Sequence, residues 1–213
     1  MIKAILFDLD GTLLDTLPDI AQSVNEMLRL HGYPAISEEL TRAYIGNGAR
    51  ELVERALPAG ADTDACFETF TQVFSHNKGD KTQPFAGVVA GLLRLKAQGY
   101  KLAVITNKPR YATETLVAEY FPDLFDYIVG DDGTFPRKPD PTAARYCALT
   151  LRVPCGECLF VGDGETDVLA AKNAGMRGVA VLWGYRTRAQ LAAAGAVDFV
   201  HDFAELENFV KNS

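Results

Sequence analysis

Two carboxylates, Asp8 and Asp10, stand two positions apart near the start of the chain. They follow the apolar residues 4–7, a run typical of a strand that is buried on both faces of a parallel sheet. Alternate residues of a strand point to the same side, so both carboxylates can face one small volume. Two negative charges that close are costly unless a cation lies between them or one carboxyl group holds a proton. The two carboxylates therefore suggest chemistry, but an isolated D-x-D sequence is also common at strand ends where both acids are solvated.

Further polar side chains follow two other apolar runs in the sequence. Thr106 comes directly after one run, and Asp163 follows another, with Asp167 one helical turn later. Lys138 precedes a proline in the loop between these two runs. In a parallel sheet, ligands bind beyond the carboxyl ends of the strands, so we expect these side chains to meet Asp8 there.

These residue types suit the transfer of a phosphoryl group. Asp8, Asp163 and a backbone carbonyl would form an oxygen-rich site for Mg²⁺, which would offset the repulsion between the carboxylates. One carboxylate can attack phosphorus and form an acyl phosphate. A second one, when protonated, can give its proton to the leaving oxygen and then activate water. Thr106 can donate a hydrogen bond to a phosphoryl oxygen, and Lys138 can supply a fixed positive charge.

The composition argues against several classes of function. The 213 residues include 21 basic and 28 acidic side chains, a formal net charge of −7, which disfavours nucleic acid as a partner. No apolar stretch is long enough to span a bilayer, and Asp8 interrupts the apolar start that a secretory signal would need. We therefore expect a soluble, cytoplasmic protein without a nucleic-acid or membrane partner. The sequence leaves a monomer or a homodimer open.

Cys155 and Cys158 form a C-x-x-C pair, which is half of a zinc site or a redox pair in some proteins. A zinc site would need a second pair of ligands, and no other pair with suitable spacing occurs in the sequence. We predict that both are ordinary thiols ahead of a strand.

The distribution of periodic segments predicts the architecture. Residues 16–82 carry helical periodicity without a strand pattern, whereas short apolar strands alternate with helices from residue 84 onwards. Alternating strands and helices predict an α/β fold, a Rossmann-like parallel sheet with helices on both faces. We expect residues 1–15 and 83–213 to form this core, and residues 16–82 to form an inserted all-helical cap domain.

Four motifs of the chain together resemble those of the haloacid dehalogenase-like hydrolase superfamily. They are D-L-D-G-T from Asp8, Thr106 after its strand, Lys138 before proline, and G-D-G-E-T-D ending at Asp167. The resemblance implies that Asp8 is the nucleophile and that Asp10 is the general acid and base, with its main-chain carbonyl on Mg²⁺. It implies that Asp163 is a metal ligand. Asp167 would support the water molecules of the metal or orient Lys138.

Four phrases are similar to the phosphoglycolate phosphatase branch of that superfamily: T-L-P-D-I, Y-I-G-N-G-A, I-T-N-K-P and V-G-D-D. The branch implies 2-phosphoglycolate as substrate and a cap loop at residues 46–48 that closes over it. We predict substrate contacts from Asn47 and Arg50 of the cap and from Thr12 and Asn107 of the core. The glycines of the loop could also serve only as a turn, and Arg50 could be a solvated helix residue.

One position departs from the branch, because Gly164 stands where Ser or Thr is common. Pyrophosphate, sugar phosphates and amino-sugar phosphates stay open as substrates, and a phosphosugar mutase stays open as a reaction. Asp10 argues against a haloalkanoate dehalogenase, which needs no second acid. A phosphonate hydrolase would need a cap lysine, and the predicted cap has only Lys78 and Lys81, near its end. A non-enzymatic binding protein would be expected to have lost the motifs.

Overall fold

The computed structural model describes residues 1–77 and 79–213, so Lys78 lies outside the described residues. The strands are β1 (Ala4–Phe7), β2 (Leu14–Asp15), β3 (Gln83–Pro84), β4 (Lys101–Pro109), β5 (Tyr127–Asp131), β6 (Cys158–Gly162), β7 (Arg177–Val181) and β8 (Phe199–Val200). Six of them form one parallel sheet in the order β5-β4-β1-β6-β7-β8. After β1, the chain adds β4 and β5 on one side of this central strand, and it then crosses over to add β6, β7 and β8 on the other side.

The helices follow the periodic segments of the sequence. They are α1 (Leu17–Leu30), α2 (Glu38–Tyr44), α3 (Ala49–Ala56), α4 (Thr63–His76), α5 (Val88–Ala97), α6 (Arg110–Tyr120), α7 (Thr142–Leu151), α8 (Glu165–Ala174), α9 (Arg188–Ala193) and α10 (Phe203–Lys211). None of these described helices combines the length and the apolar character needed to cross a membrane.

Strand β1 lies between two hydrophobic layers. Ile5 and Phe7 pack on one face with residues of α5, α6 and α10, while Ala4 and Leu6 pack on the other with residues of α7 and α8. All four are fully buried, because successive side chains of a strand point to opposite faces and both faces are covered. The predicted Rossmann-like parallel sheet with helices on both faces is confirmed.

The register of the sheet brings three strand ends level with one another. Phe7 lies opposite Val104 of β4 and Val161 of β6, so Asp8 follows directly where its two neighbours approach their own ends. Strand β4 is longer than the sequence predicts, because after an irregularity beyond Ile105 it pairs again at Pro109. The polar residues 106–108 therefore lie in the last part of β4, which is held by its pairing with β5 before and after them.

Helices α1–α4, called the helical unit below, have a hydrophobic core of their own. Leu17, Val24, Val53 and Phe70 belong to this core, and they are at most 4% exposed. Between residues 16 and 82 the described chain contains no strand, in agreement with the helical periodicity of this segment. The helical unit is therefore built around packing that is separate from the two layers of the sheet.

The chain leaves the sheet for the helical unit and returns at adjacent points. Strands β2 and β3 pair in antiparallel fashion, with Leu14 opposite Pro84. Asp19 in the first turn of α1 strengthens this junction, because its Oδ2 accepts hydrogen bonds from Lys81 N at 3.1 Å and from Thr82 Oγ1 at 2.7 Å. The predicted core–cap boundaries at 15/16 and 82/83 fall at this junction, and the division into two domains stays a prediction.

Replacing Asp19 with alanine is expected to loosen the junction. The substitution leaves the buried Thr82 hydroxyl and the Lys81 amide without their acceptor, so we expect the free energy of unfolding to fall by about 2–4 kcal/mol. Urea denaturation measures this loss. Asp64→Ala is the control, since the Asp64 side chain is 83% exposed, and it should change the free energy far less. Equal losses in the two variants would contradict a structural role for Asp19.

Candidate active site

Three carboxylates meet at the carboxyl edge of the sheet. Asp8 follows β1, Asp163 follows β6, and Asp167 lies in the first turn of α8. Each offers one oxygen, and these oxygens lie within 4.8 Å of one another. The structure thus brings together three acids that the sequence places up to 159 positions apart, and this group could hold a metal ion.

Lys138 is the cation of this group and is buried with it. Its Nζ lies 2.8 Å from Asp8 Oδ1 and 2.6 Å from Asp167 Oδ1, and it donates to the Ile105 carbonyl at 2.9 Å. Burial alone would lower the pKa of Lys138, but the negative charges of Asp167 and Asp8 outweigh it and raise this pKa. The ammonium therefore stays charged, and Asp167 orients it.

One lysine does not balance the acids. Burial raises the pKa of Asp8 to about 6, against the opposing charge of Lys138. Burial, followed by the charges of Asp167 and Asp8, raises the pKa of Asp163 to about 8. Lys138 approaches Asp8 Oδ1 as a charge but not in hydrogen-bonding geometry, and this buried oxygen has no hydrogen-bond donor among the described residues. Hard oxygen ligands with excess negative charge fit a divalent cation such as Mg²⁺.

Close packing fixes the position of Asp163. Thr12 Oγ1 donates to Asp163 Oδ1 at 2.9 Å, and Tyr185 N donates to Oδ2 at 2.8 Å. A side chain at Gly11, which has φ +82°, or at Gly184 would place its Cβ 2.3 Å from atoms of Asp163. The predicted contact between Thr12 and substrate stays a prediction; in the structure Thr12 is 1% exposed and its hydroxyl holds Asp163.

Asp10 has a different environment from Asp8. Its Oδ1 accepts a hydrogen bond from Thr16 Oγ1 at 2.7 Å, and its two oxygens lie 3.0 and 3.2 Å from Lys108 Nζ. Lys108 was not among the predicted site residues, although it stands next to Asn107 in the I-T-N-K-P phrase. Each of the two neighbouring acids thus has its own lysine, Lys138 beside Asp8 and Lys108 beside Asp10.

A cleft lies between this edge of the sheet and the helical unit. The helical unit contributes a mainly apolar wall to it: Ile20, Ile45, Ala49, Leu52, Phe70 and Phe74. The sheet edge contributes Asp8, Asp10, Thr106, Asn107, Lys108, Asp163 and Asp167. The acids therefore face a confined space whose opposite side is apolar.

Thr106 and Asn107 both line the cleft, but only Thr106 keeps a hydrogen-bond donor that no described residue uses. Thr106 Oγ1 accepts a hydrogen bond from Lys108 N at 3.3 Å, which leaves the hydroxyl hydrogen for a ligand. The Asn107 amide donates to the carbonyls of Gly46 and Lys138 and accepts from Lys138 N at 2.8 Å. Both of its donor hydrogens are engaged by these carbonyls, so Asn107 supports the Lys138 loop, and its predicted contact with substrate stays a prediction.

The two residues predicted for the cap loop have different positions. Asn47 lines the cleft, and its amide donates to Glu51 Oε1 at 2.9 Å. Arg50 does not line the cleft, because its guanidinium forms ion pairs with Glu54 and Asp64 on the outer side of the helical unit. The predicted substrate contact of Arg50 stays a prediction, and in the structure its guanidinium belongs to these surface ion pairs.

Tyr185 is a site residue that the sequence motifs did not reveal. It lies in the loop after β7, and its hydroxyl accepts hydrogen bonds from Thr16 N at 2.9 Å and from Leu17 N at 3.0 Å. The same hydroxyl lies 3.2 Å from Asp15 Oδ1, to which it donates. Because the Tyr185 amide also holds Asp163, one residue connects the acids with the start of the helical unit.

Arg186, the next residue, connects the sheet edge with helix α2. Its guanidinium donates to the carbonyls of Arg42 at 2.8 Å and Ile45 at 2.6 Å, at the carboxyl end of α2, where a cation is favourable. It also pairs with Glu165 Oε2 at 3.0 Å. The loop at residues 46–48 is thereby held over the acids.

Cys155 and Cys158 do not take part in the cleft. Both thiols are free, and they lie at the turn that leads into β6. Burial raises the pKa of Cys158 to about 12, so this thiol is protonated at neutral pH.

With this geometry in view, the chain can be compared with known proteins. Residues 5–181 match the haloacid dehalogenase-like hydrolase family. Phosphoglycolate phosphatase 1 of Pseudomonas aeruginosa is 38% identical over 211 residues, which cover 94% of this chain and 78% of that protein.

Solved structures of similar proteins cover nearly the whole chain. A predicted phosphoglycolate phosphatase from Haemophilus somnus has a TM-score of 0.89 at 33% identity and covers 98% of this chain and 97% of its own. CbbY from Rhodobacter sphaeroides, solved in complex with phosphate, has a TM-score of 0.81 at 28% identity, with 97% and 96% covered.

The chain belongs to the haloacid dehalogenase-like hydrolase family, as its four motifs predicted. Within the family, its similarity to phosphoglycolate phosphatases confirms the predicted branch. The departure at Gly164 does not disturb the acids, because Gly164 N donates to Asp167 Oδ2 at 2.9 Å through its backbone.

Tyr185→Phe is expected to weaken the link between the acids and the helical unit. The change removes the hydroxyl that accepts two backbone N–H groups, so the free energy of unfolding should fall by about 1–3 kcal/mol. Chemical denaturation gives the value. Tyr111→Phe, at a residue that is 46% exposed, serves as the control and should leave the free energy nearly unchanged. A Tyr185→Phe protein as stable as the parent would show that the hydroxyl contributes nothing to this junction.

Proposed function

We propose that this chain is a Mg²⁺-dependent phosphatase that hydrolyses a small phosphorylated metabolite through an aspartyl-phosphate intermediate. The observation that carries this proposal is the cluster of Asp8, Asp163 and Asp167 around buried Lys138, with Asp10 beside it in the same cleft. The first candidate substrate is 2-phosphoglycolate. The names of the relatives support this candidate.

The donor atoms of the site suit a magnesium ion. In this proposal the carboxylates of Asp8 and Asp163 and the main-chain carbonyl of Asp10 would hold the ion, which would draw charge from a phosphoryl oxygen. Asp163 is already fixed by Thr12 and Tyr185, so it can present an oxygen without rearrangement. Asp167 acts through Lys138, since Asp167 Oδ1 lies 2.6 Å from Lys138 Nζ.

In the first step, Asp8 attacks phosphorus and forms the bond of an acyl phosphate, while the bond from phosphorus to the ester oxygen breaks. Asp10 gives its proton to that leaving oxygen. Lys138 and the Thr106 hydroxyl interact with phosphoryl oxygens as negative charge develops on them. The Lys138 ammonium suits this role because its neighbours hold it charged and in place.

In the second step, a water molecule attacks the phosphorus of the aspartyl phosphate. Asp10, now ionised, takes a proton from this water, and the bond between phosphorus and the Asp8 oxygen breaks. Inorganic phosphate leaves and Asp8 is regenerated as a carboxylate. The contact between Asp10 and Thr16 supports this role, because it holds the carboxylate at the cleft and apart from the Asp8 cluster.

The helical unit would act as the cap domain, residues 16–82, over the core of residues 1–15 and 83–213. Its apolar wall and the loop at residues 46–48 close one side of the cleft, which favours small substrates. Asn47 is the cap residue whose position supports a contact with the non-phosphate end of the substrate.

The partners follow from the same features. The proposed site is built from residues of a single chain and is proposed for a monomer or a homodimer, the two states that the sequence leaves open. A net charge of −7 disfavours nucleic acid, and the reaction of a small metabolite fits the cytoplasm.

Release of inorganic phosphate across a panel of phosphorylated metabolites tests the proposal. We expect hydrolysis to require Mg²⁺, to stop when a chelator is added, and to be most efficient with 2-phosphoglycolate. The panel includes pyrophosphate, sugar phosphates and amino-sugar phosphates, so a different preferred substrate would become visible. Product analysis by phosphorus NMR detects a mutase, which would move phosphate within the product. No release from any compound would refute the phosphatase proposal.

Asp8→Asn is expected to abolish turnover, because an amide cannot form the acyl phosphate. We expect kcat to fall at least about a thousandfold while the fold is retained. Phosphate release measures the loss, and circular dichroism checks the fold. Asp64→Asn is the matched control, since the Asp64 side chain is 83% exposed and does not line the cleft. A Asp8→Asn enzyme with most of its activity would rule out Asp8 as the nucleophile.

A further inference from the structure

Lys108 is a buried cation in the cleft that the proposed steps do not use. Its side chain is 3% exposed, and its ammonium lies 5.0 Å from the centre of the Phe74 ring. The described charged partner is Asp10, whose oxygens are 3.0 and 3.2 Å away. Burying an ammonium is costly, so a position that needed only packing would be better filled by an apolar side chain. Packing alone therefore does not account for the positive charge of Lys108.

The other cations described at the cleft are held by fixed partners. Lys138 is shared between Asp8 and Asp167, and Arg186 is engaged by Glu165 and by carbonyls of the helical unit. Lys108 differs, because its counterion Asp10 itself faces the cleft. An anion that enters beside Asp10 can therefore share the ammonium without breaking a contact that holds the fold.

The position of Lys108 along β4 relates it to the reacting end of the substrate. Thr106 and Lys108 are two residues apart at the end of this strand, and both line the cleft. In the proposed reaction Asp10 protonates the ester oxygen, so an ammonium in contact with Asp10 lies beside the group that this oxygen carries. In 2-phosphoglycolate that group is a methylene followed directly by a carboxylate.

The rest of the cleft offers little else for a second negative charge. The wall from the helical unit is apolar, apart from Asn47 and the backbone of residues 46–48. A carboxylate placed against Ile20, Leu52 or Phe70 would lose its water without gaining a charged partner, which is unfavourable. Lys108 is the described group that can compensate for this loss.

We propose that Lys108 determines specificity by binding a carboxylate of the substrate that lies next to the phosphoester. The inference rests on the proposed phosphatase function and deepens it. The enzyme then prefers a phosphoester with an adjacent carboxylate over an uncharged ester of similar size. Lys108 is a substrate-binding residue in this scheme, and its contact with Asp10 is the arrangement before the carboxylate arrives.

Lys108→Met tests this proposal, because methionine keeps much of the length of the side chain and removes its charge. The full-length enzyme with Mg²⁺ is assayed on 2-phosphoglycolate and on ethyl phosphate, in which a methyl group replaces the carboxylate. We expect kcat/KM for 2-phosphoglycolate to fall about 10- to 100-fold, mainly through KM, and the fall for ethyl phosphate to be much smaller. Lys211→Met, at an exposed lysine of α10, is the matched control and should change neither value.

Equal losses on both esters would overturn the proposal and assign Lys108 to the positioning of Asp10. An unchanged preference between the two esters would overturn it as well. Should Lys108→Met not fold, Lys108→Gln, which also removes the charge, takes its place in the same comparison.

A binding measurement separates this inference from the proposed function. In the Asp8→Asn background, calorimetry compares the affinity for 2-phosphoglycolate with and without Lys108→Met, and we expect about a 10- to 100-fold loss. If the parent enzyme hydrolysed no phosphoester, the proposed function would fail, while this loss of affinity would still support the role of Lys108. Equal affinities would overturn that role whatever the parent enzyme hydrolyses.

Discussion

The contact of buried Lys138 with Asp8 and Asp167 is the interaction on which the rest of the site depends. Parallel strands bring their carboxyl ends together, and in this chain those ends carry acids that repel one another. One ammonium lies between two of the three carboxylates, and burial, together with the charges of the neighbouring acids, raises the pKa values of Asp8 and Asp163. A single lysine thus leaves the group short of positive charge. The same shortage of positive charge makes the cluster a candidate site for a divalent cation.

The site and the helical unit are held by shared groups. Asn107 binds both the Lys138 loop and the Gly46 carbonyl, so the support of the lysine is also a support of the loop above the cleft. Tyr185 acts similarly, since its amide holds Asp163 and its hydroxyl holds the start of α1. A shift of the helical unit relative to the sheet would therefore disturb the hydrogen bonds that hold the Lys138 loop and Asp163.

The sequence predicts the parts of this structure that depend on local patterns. The apolar runs identify the buried strands, and the polar residues directly after them, Asp8, Thr106 and Asp163, are thereby placed at the carboxyl edge of the sheet. Contacts between distant segments leave no such pattern: Tyr185 reaches Thr16 across 169 positions. The direction of a single side chain is equally hidden, because a polar residue at the start of a helix can face the cleft or the solvent. Arg50 is the example, since the sequence places it next to the loop and its guanidinium forms ion pairs with Glu54 and Asp64 at the surface.

The antiparallel pair of β2 and β3 has a consequence for how this protein can diverge. Because the chain leaves the sheet and returns to it at neighbouring points, the inserted segment only has to bridge the short distance between those two points. The segment between them can be lengthened, shortened or exchanged without altering the order of the strands or the alignment of their ends. Selection can thus change the length and the lining of this segment while the sheet keeps its strand order, as long as the groups that meet Asn107 and Tyr185 are kept.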